Sequence, residues 1–61
     1  MNNRIALWRK YRGMTQEELA KRTGLTRQTV SKIENDMTST TVKTLLKISD
    51  ALGVHIEALF F

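Results

Sequence analysis

Proline is absent from this 61-residue chain, and glycine occurs only three times. Sheet proteins need frequent turns, which these two residue types supply, so their scarcity favours long helices. Cysteine is also absent, so neither a disulfide nor a thiolate metal site can brace the core. A chain of about 60 residues buries only about 60% of the surface it exposes when unfolded. The sequence therefore predicts a single all-helical domain over residues 1–61, held by tight helix packing and compatible with a dimer.

Start and stop signals along the chain predict five helices. Thr15 and Glu18 have the spacing of a capping box, and Gly13 and Gly53 supply stops. The predicted helices are residues 3–12, a segment capped by Thr15 that ends near Arg22, a segment capped by Thr26 that ends at Glu34 or Asn35, a segment capped by Thr41 that ends before Gly53, and residues 56–60. The mostly polar residues 36–40 are predicted as a loop.

The second and third predicted helices are separated by only residues 23–25, which include Gly24. Two helices joined by such a turn are the geometric requirement of a helix-turn-helix, whose second helix enters the major groove of DNA. Ala20 is small enough for the two helices to approach closely, and Gly24 can take a positive φ. Val30 and Ile33 supply an apolar inner face. The spacing therefore predicts a helix-turn-helix.

Positive charge is concentrated in the first half of the chain. The net charge of +4 suggests a polyanionic partner, but alone it does not separate nucleic acid from a membrane surface or from mere solubility. Residues 1–33 hold eight of the ten Lys and Arg residues with two carboxylates, whereas residues 34–61 hold two cations and four carboxylates. A phosphate-binding surface is therefore expected in the first half.

The outward face of the third helix carries side chains that can read bases. At about 100° per residue, Val30 and Ile33 define its buried side. Pointing away from that side are Gln28, Ser31, Lys32 and Asn35, while the long side chain of Arg27 can leave the first turn toward DNA. Gln28 suits the N6 and N7 atoms of adenine, and Arg27 or Lys32 suits the O6 and N7 atoms of guanine.

Three stretches carry a resemblance to a known family. They are Met-Thr-Gln-Glu-Glu-Leu-Ala at residues 14–20, Gly-Leu-Thr-Arg-Gln-Thr-Val-Ser-Lys-Ile-Glu-Asn at residues 24–35, and Ala-Leu-Gly-Val at residues 51–54. Through them the chain resembles the lambda-repressor-like (Cro/C1, or XRE) helix-turn-helix family over nearly its whole length. The resemblance implies a five-helix DNA-binding domain with the helix-turn-helix at helices 2 and 3. It also implies sequence-specific binding of double-stranded DNA by a dimeric transcriptional regulator, a repressor in the simplest reading.

The resemblance also implies roles for individual residues. In the family, the positions of Arg27, Gln28 and Lys32 typically touch bases, and those of Thr26, Thr29 and Ser31 lie near the groove wall. With the outward direction of Ser31 included, we expect base contacts from Arg27, Gln28, Ser31 and Lys32, and phosphate contacts from Gln16, Thr26, Thr29 and Asn35. Gln16 stands at the start of a helix, where backbone amides and the helix dipole favour a phosphate. The alternative for any one of these polar side chains is simple exposure to solvent.

Arg9 and Glu34 are expected to form a separate ion pair, since the family often ties helix 1 to helix 3 in this way. We interpret the pair as scaffold, because removing one partner of a partly buried pair leaves an uncompensated charge. Contact of Arg9 with phosphate is the alternative. Two positions depart from the family pattern: Asp36 stands where Gly is common, so the turn after the third helix is expected to be reshaped, and Met37 stands where a basic residue is frequent.

The chain closes with Leu59, Phe60 and Phe61. Phe61 is hard to bury in one small domain, whereas Leu59 is expected to reach the core, with Phe60 beside it as an alternative to exposure. The three residues are predicted to form a homodimer contact, with a frayed tail as the alternative.

Other functional classes fit the sequence less well. His55 is the only histidine and lies in no cluster with metal-ligand spacing, so no metal, cofactor or enzymatic activity is expected. The short apolar runs and the lack of an apolar N-terminal signal favour a cytoplasmic protein. A membrane-surface protein would carry its cations along one helix, whereas here they lie on three. The main alternative is an antitoxin or adaptor of the same fold that works through an apolar stripe including Leu7 and Tyr11.

Overall fold

Four α-helices and two short 3-10 helices make up residues 2–61, which are the residues described by the structure, a computed structural model. The α-helices are α1 (Ile5–Tyr11), α2 (Gln16–Thr23), α3 (Arg27–Asn35) and α4 (Val42–Leu52). One 3-10 helix, Met37–Ser39, lies between α3 and α4, and the other, Ile56–Leu59, follows α4. The predicted all-helical fold is confirmed.

Threonine side chains begin three of the α-helices. The Oγ1 atoms of Thr15, Thr26 and Thr41 each accept a hydrogen bond from the backbone N–H three residues later. At α2 the capping box is complete, because the Glu18 carboxylate also accepts the backbone N–H of Thr15 at 3.0 Å. These caps satisfy amides that have no partner within the helix, so α2, α3 and α4 each start where the sequence predicted.

Three predicted boundaries were wrong. Helix α1 begins at Ile5 rather than at residue 3, because the Asn3 side chain turns inward and its Oδ1 accepts the Ile5 N–H at 3.0 Å. The predicted loop 36–40 contains the first 3-10 helix, which the Asp36 side chain caps. The predicted fifth α-helix is the 3-10 helix Ile56–Leu59, one residue shorter than expected.

The core lies where all of the helices meet. Its members are aliphatic side chains buried on the inner faces of the helices: Ile5, Leu19, Ala20, Val30, Ile33, Met37, Leu45, Ile48, Leu52 and Leu59. Met37 is buried in this core, so its side chain is not available to DNA. Leu59 is completely buried, so its predicted part in a dimer contact was wrong: its side chain is used within the protomer.

No helix within residues 2–61 has the length and apolar character that a membrane crossing requires.

Candidate nucleic-acid interface

The turn between α2 and α3 fixes how these two helices stand to each other. Gly24 takes the left-handed conformation with φ 74°, and the following Leu25 N–H bonds the Ala20 carbonyl oxygen at 2.9 Å. This pattern ends α2 and turns the chain within two residues. Thr23, predicted to lie in the turn, is instead the last residue of α2, where its hydroxyl donates to the Leu19 carbonyl at 2.8 Å. Burial of Ala20 at the contact lets α3 pack closely against α2.

The outer face of α3 presents three long polar side chains to solvent. Arg27, Gln28 and Lys32 are exposed, and none of their side chains forms a hydrogen bond or ion pair with any residue in the range 2–61. Val30 and Ile33 are buried on the opposite side, as the helical spacing predicted. The face therefore combines two cations and one amide whose donors are all available to an external partner.

Ser31 and Asn35 lie on the same side of α3 but are less available. Ser31 is half-buried, and the Asn35 Nδ2 donates to the Ser31 carbonyl at 2.9 Å. One N–H of the Asn35 amide remains, which is the kind of donor that a phosphate oxygen accepts. Both residues are thus placed at the surface predicted for DNA.

Thr26 and Thr29 form a small cluster at the start of α3. The two Oγ1 atoms are 2.8 Å apart, and the Thr29 backbone N–H donates to the Thr26 Oγ1 at 3.1 Å. A hydrogen bond between two hydroxyls uses only one of their two hydrogens. The pair therefore keeps one O–H donor beside the first turn of α3.

Glu34 is the centre of a buried network that joins three parts of the fold. Its carboxylate accepts the Arg9 Nε at 2.6 Å and the Gln16 Nε2 at 2.9 Å, while the Arg9 Nη1 donates to the Met14 carbonyl at 2.8 Å. The side chains of Arg9 and Glu34 are 11% and 7% exposed. The structure thus places the Arg9–Glu34 pair as the sequence predicted, linking α1 to α3.

Gln16 takes part in this network instead of extending freely into solvent. Its half-buried side chain uses one amide hydrogen on Glu34 and keeps the second. The network therefore ties the first residue of α2 to the end of α3, a contact that sequence reasoning missed.

Asp36 shapes the turn after α3 through its backbone and its carboxylate. Its backbone is extended, with φ −149°, and its carboxylate accepts the hydroxyl and the backbone N–H of Thr38. These two bonds, with smaller contributions from Asn2 and Lys32, hold the pKa of the Asp36 carboxyl below its ordinary value. At neutral pH the Asp36 carboxylate is therefore a negative charge one residue beyond α3, near Lys32.

Asn2 and Asn3 are further residues that support α3, and sequence reasoning missed them. The Asn3 Nδ2 donates to the Ile33 carbonyl at 2.9 Å, and the Asn2 Oδ1 accepts the Met37 N–H at 3.1 Å. Asn3 is 1% exposed. Asparagine is a frequent capping residue, so the pair Asn-Asn before an apolar segment indicates side-chain bonds to nearby backbone groups, but it does not identify Ile33 or Met37 as partners.

The two C-terminal phenylalanines lie in different clefts. Phe60 lines one cleft of about 340 Å³ with Asn2, Met37, Thr38, Val42 and Leu45. Phe61 lines another of about 370 Å³ with Asn3, Arg4, Ala6, Leu7 and Lys10. The structure does not join them into the single patch that the sequence suggested, because their side chains leave the extended backbone on different sides.

A family model described as Helix-turn-helix matches residues 5–59. The chain belongs to the helix-turn-helix family. An uncharacterized HTH-type transcriptional regulator of Methanocaldococcus jannaschii is 38% identical over 60 residues, covering 98% of this chain and 91% of that protein. Antitoxin HipB of Escherichia coli K12 is 42% identical over 54 residues, covering 88% of this chain and 61% of HipB. The crystal structure of SinR, a master regulator for biofilm formation, in complex with DNA gives a TM-score of 0.80 at 33% identity, covering 88% of this chain and 87% of that one.

These matches establish a DNA-binding helix-turn-helix protein of the Cro/C1 type, as the sequence motifs predicted. The Methanocaldococcus jannaschii relative is named as a transcriptional regulator, and SinR is named as a master regulator. In the helix-turn-helix family α2 and α3 are the two helices of the motif, with α3 as the recognition helix. The exposed side chains of α3 therefore stand on the element that defines the family.

Proposed function

We propose that this protein is a sequence-specific transcriptional regulator that reads double-stranded DNA with the outer face of α3. The observation that carries the proposal is that Arg27, Gln28 and Lys32 are exposed and unpaired on the recognition helix, while Glu34 on the same helix is held by Arg9. Arg, Gln and Lys are the side chains best suited to the base edges of the major groove. Their placement opposite the buried side of α3 supports direct readout.

Ser31 is a fourth proposed base contact, and four residues are proposed to bind the DNA backbone: Gln16, Thr26, Thr29 and Asn35. Gln16 and Asn35 each keep one amide hydrogen that is not used within the protein, and Thr26 and Thr29 together keep one hydroxyl hydrogen. Phosphate oxygens accept such donors without regard to sequence. These contacts would fix the register of α3, while Arg27, Gln28 and Lys32 supply selectivity.

We further propose a two-fold dimer that pairs through the Phe60 cleft. Phe60 and Val42 are 45% and 65% exposed, and no charged side chain lines this cleft. Two copies can therefore meet there without bringing like charges together. The cleft includes Met37 and Thr38 of the 3-10 helix that follows α3. We therefore propose that the dimer presents both recognition helices on the same face, about 34–36 Å apart, so that they fit the two half-sites of a palindromic operator. Repression by occupying a promoter is the simplest outcome.

Selection from a random duplex library tests this function. We expect an enriched sequence with two inverted half-sites, whose centres are one helical turn apart, about 10 base pairs. Affinity for the enriched duplex should fall steeply with salt, because bound protein releases counterions from the phosphates. A library that returns no preferred sequence would refute sequence-specific regulation, and a single unrepeated half-site would refute the two-fold dimer.

Action as an antitoxin is the second candidate, supported by the 42% identity to antitoxin HipB. In that case the main working surface is an apolar face that binds a protein. Duplex binding that is weak and indifferent to both sequence and salt would favour this candidate over the first.

A further inference from the structure

The cleft that Phe61 lines is an apolar surface separate from the recognition face. Leu7 and Phe61 are 59% and 75% exposed, and Tyr11, one turn from Leu7, is 73% exposed. Large apolar side chains gathered in one exposed place mark interaction sites more often than isolated ones do. The cleft of about 370 Å³ has room for one or two large side chains of a partner.

The charged side chains that line this cleft are both positive. They are Arg4 and Lys10, and no Asp or Glu side chain lines it. Neither cation pairs with an acidic group within residues 2–61. The Arg4 guanidinium lies 5.4 Å from the centre of the Phe61 ring, a cation–π contact that positions the ring as a wall of the cleft. An occupant that combines apolar side chains with carboxylates matches this lining.

A second copy of the chain is a poor occupant. Pairing through a two-fold axis would bring Arg4 and Lys10 of one copy against the same residues of the other, and like charges in an interface cost free energy. The Phe60 cleft has no such cations. The two clefts therefore differ in the kind of partner that their charge allows.

The position of the cleft leaves the recognition helix free. Successive residues of a helix are about 100° apart, so Leu7 lies roughly opposite Arg9 on α1. Arg9 contacts Glu34 on α3. A partner that binds over Leu7 therefore approaches α1 from the side away from α3.

We propose that this cleft binds an acidic amphipathic helix of a partner protein, and that it does so while α3 is on DNA. Leucine or phenylalanine side chains of the partner would fill the space between Leu7 and Phe61, and carboxylates at the next turn would meet Arg4 and Lys10. Only the simultaneous binding of DNA rests on the proposed function. The proposed binding of an acidic helix rests on the apolar lining of the cleft and on Arg4 and Lys10, which form no ion pair within residues 2–61.

A displayed library of helical peptides, patterned with apolar residues on one face and acidic or basic residues beside them, provides the test. The whole 61-residue protein is the bait. The double variant Leu7→Ser, Lys10→Glu changes the cleft, and Leu46→Ser, Lys47→Glu makes the same chemical change on α4, where Leu46 is 50% exposed. All four residues are exposed, so both variants should keep the circular dichroism spectrum and the melting temperature of the parent. If the Leu7, Lys10 variant does not fold, the single substitution Lys10→Glu replaces it as the test of the cleft.

We expect acidic amphipathic peptides to be enriched. Their affinity should fall by about tenfold or more in the Leu7, Lys10 variant, as for a central contact in an interface, and stay unchanged in the α4 variant. A saturating peptide should leave duplex binding intact. The proposal would be overturned if no peptide is enriched, or if peptide binding is lost in both variants or in neither of them. Competition between the peptide and the duplex would also overturn it. Dimerisation that is lost only in the Leu7, Lys10 variant would also overturn it, by assigning the cleft to a second copy. The selection uses no DNA, so failure to read an operator would not affect it.

Discussion

Glu34 is the residue on which most of the site's geometry depends. Its carboxylate, on α3, accepts hydrogen bonds from Arg9 of α1 and from Gln16 at the start of α2. Removing one member of a buried pair leaves an unsatisfied charge, which is more costly than replacing both members by apolar groups. The Arg9–Glu34 pair therefore positions the recognition helix from within the fold, and Gln16 connects that pair to the surface proposed for DNA.

Arg9→Ala should lower the free energy of unfolding by about 3–5 kcal/mol, because Glu34 would remain buried and uncompensated. Lys10→Ala, an exposed change on the same helix, should alter it by about 0.5 kcal/mol or less. The double replacement Arg9→Met, Glu34→Leu should recover most of the loss. Urea unfolding followed by circular dichroism measures all three. Equal stability of the two alanine variants would show that the pair does not stabilise the fold.

Gln28→Ala and Lys32→Ala should leave unfolding unchanged and reduce the preference for the selected operator over altered sites by about 1–3 kcal/mol each. Both residues are exposed on α3 and have no partner within residues 2–61, so the fold loses nothing. Lys47→Ala removes the same charge from α4 and is the control for Lys32. Fluorescence anisotropy on matched duplexes gives the preference. If either variant loses affinity equally for every sequence, that residue binds phosphate.

At the scale of helices, one carboxyl group at the start of α2 and one just after α3 have lowered pKa values and are ionised at neutral pH. Hydrogen bonds from the Thr15 backbone N–H and side chain lower the pKa of Glu18, and those from Thr38 lower the pKa of Asp36. Glu18 stands in the first turn of α2, where the helix dipole favours an anion, whereas Asp36 directly follows the last turn of α3, where the dipole opposes one. The first charge suits the fold, and the second is expected to repel a phosphate that lies near the end of α3.

Stability should fall on acidification partly through Glu18. Because its pKa is lowered in the folded chain, its contribution is complete above the ordinary carboxyl pKa of about 4 and is lost as the pH falls through the lowered value. Glu18→Gln keeps an acceptor for the Thr15 N–H but cannot ionise. The variant should be less stable than the parent at neutral pH, with the difference closing in acid, as measured by melting at a series of pH values. Glu17→Gln, one residue away and exposed, is the control; a constant difference for Glu18→Gln would refute the assignment.

Asp36→Asn should strengthen duplex binding. The amide oxygen can still accept the Thr38 N–H, so the 3-10 helix keeps its cap, while the negative charge near Lys32 is removed. The gain should be largest at low salt and shrink as salt screens the phosphates. Anisotropy titrations over a range of salt concentrations measure it. Unchanged affinity at low salt would place Asp36 away from the path of the DNA backbone.

The helices themselves were predictable because their signals are local. A threonine hydroxyl that bonds an amide three residues later, as at Thr15, Thr26 and Thr41, can be read from adjacent letters. The acceptor of the Asn3 side-chain amide cannot be predicted in this way, because it lies 30 residues away on α3 and is brought near only by packing. The same reason hid the contact between Gln16 and Glu34. The outward face of α3 was predictable, since helical period alone separates Val30 from Gln28.

At the scale of the molecule, the separate clefts of Phe60 and Phe61 divide its apolar surface in two. One cleft has an uncharged lining and the other holds two cations. Period-2 alternation of an extended backbone sends neighbouring side chains apart, and the packing of α1 and α4 decides what each one meets. No pattern within the last three letters of the sequence contains that information.

Phe60→Ser should weaken self-association, and Phe61→Ser should not. Phe60 lines the cleft that we propose for the dimer, and Phe61 lines the other one. Analytical ultracentrifugation gives the dimer dissociation constant, and duplexes with one or two half-sites show whether binding is cooperative. The Phe60 variant should bind both duplexes with the affinity of a single half-site. Equal effects of the two substitutions would contradict a dimer through the Phe60 cleft.

Asn2 and Asn3 fasten the beginning of the chain to the far end of the recognition helix. Loss of those two residues would release the Ile33 carbonyl and the Met37 amide together, and so loosen the last turn of α3 and the segment that leads into α4. Replacing both asparagines by alanine, more than twenty residues before Arg27, should then weaken DNA binding without removing any group proposed to touch the DNA.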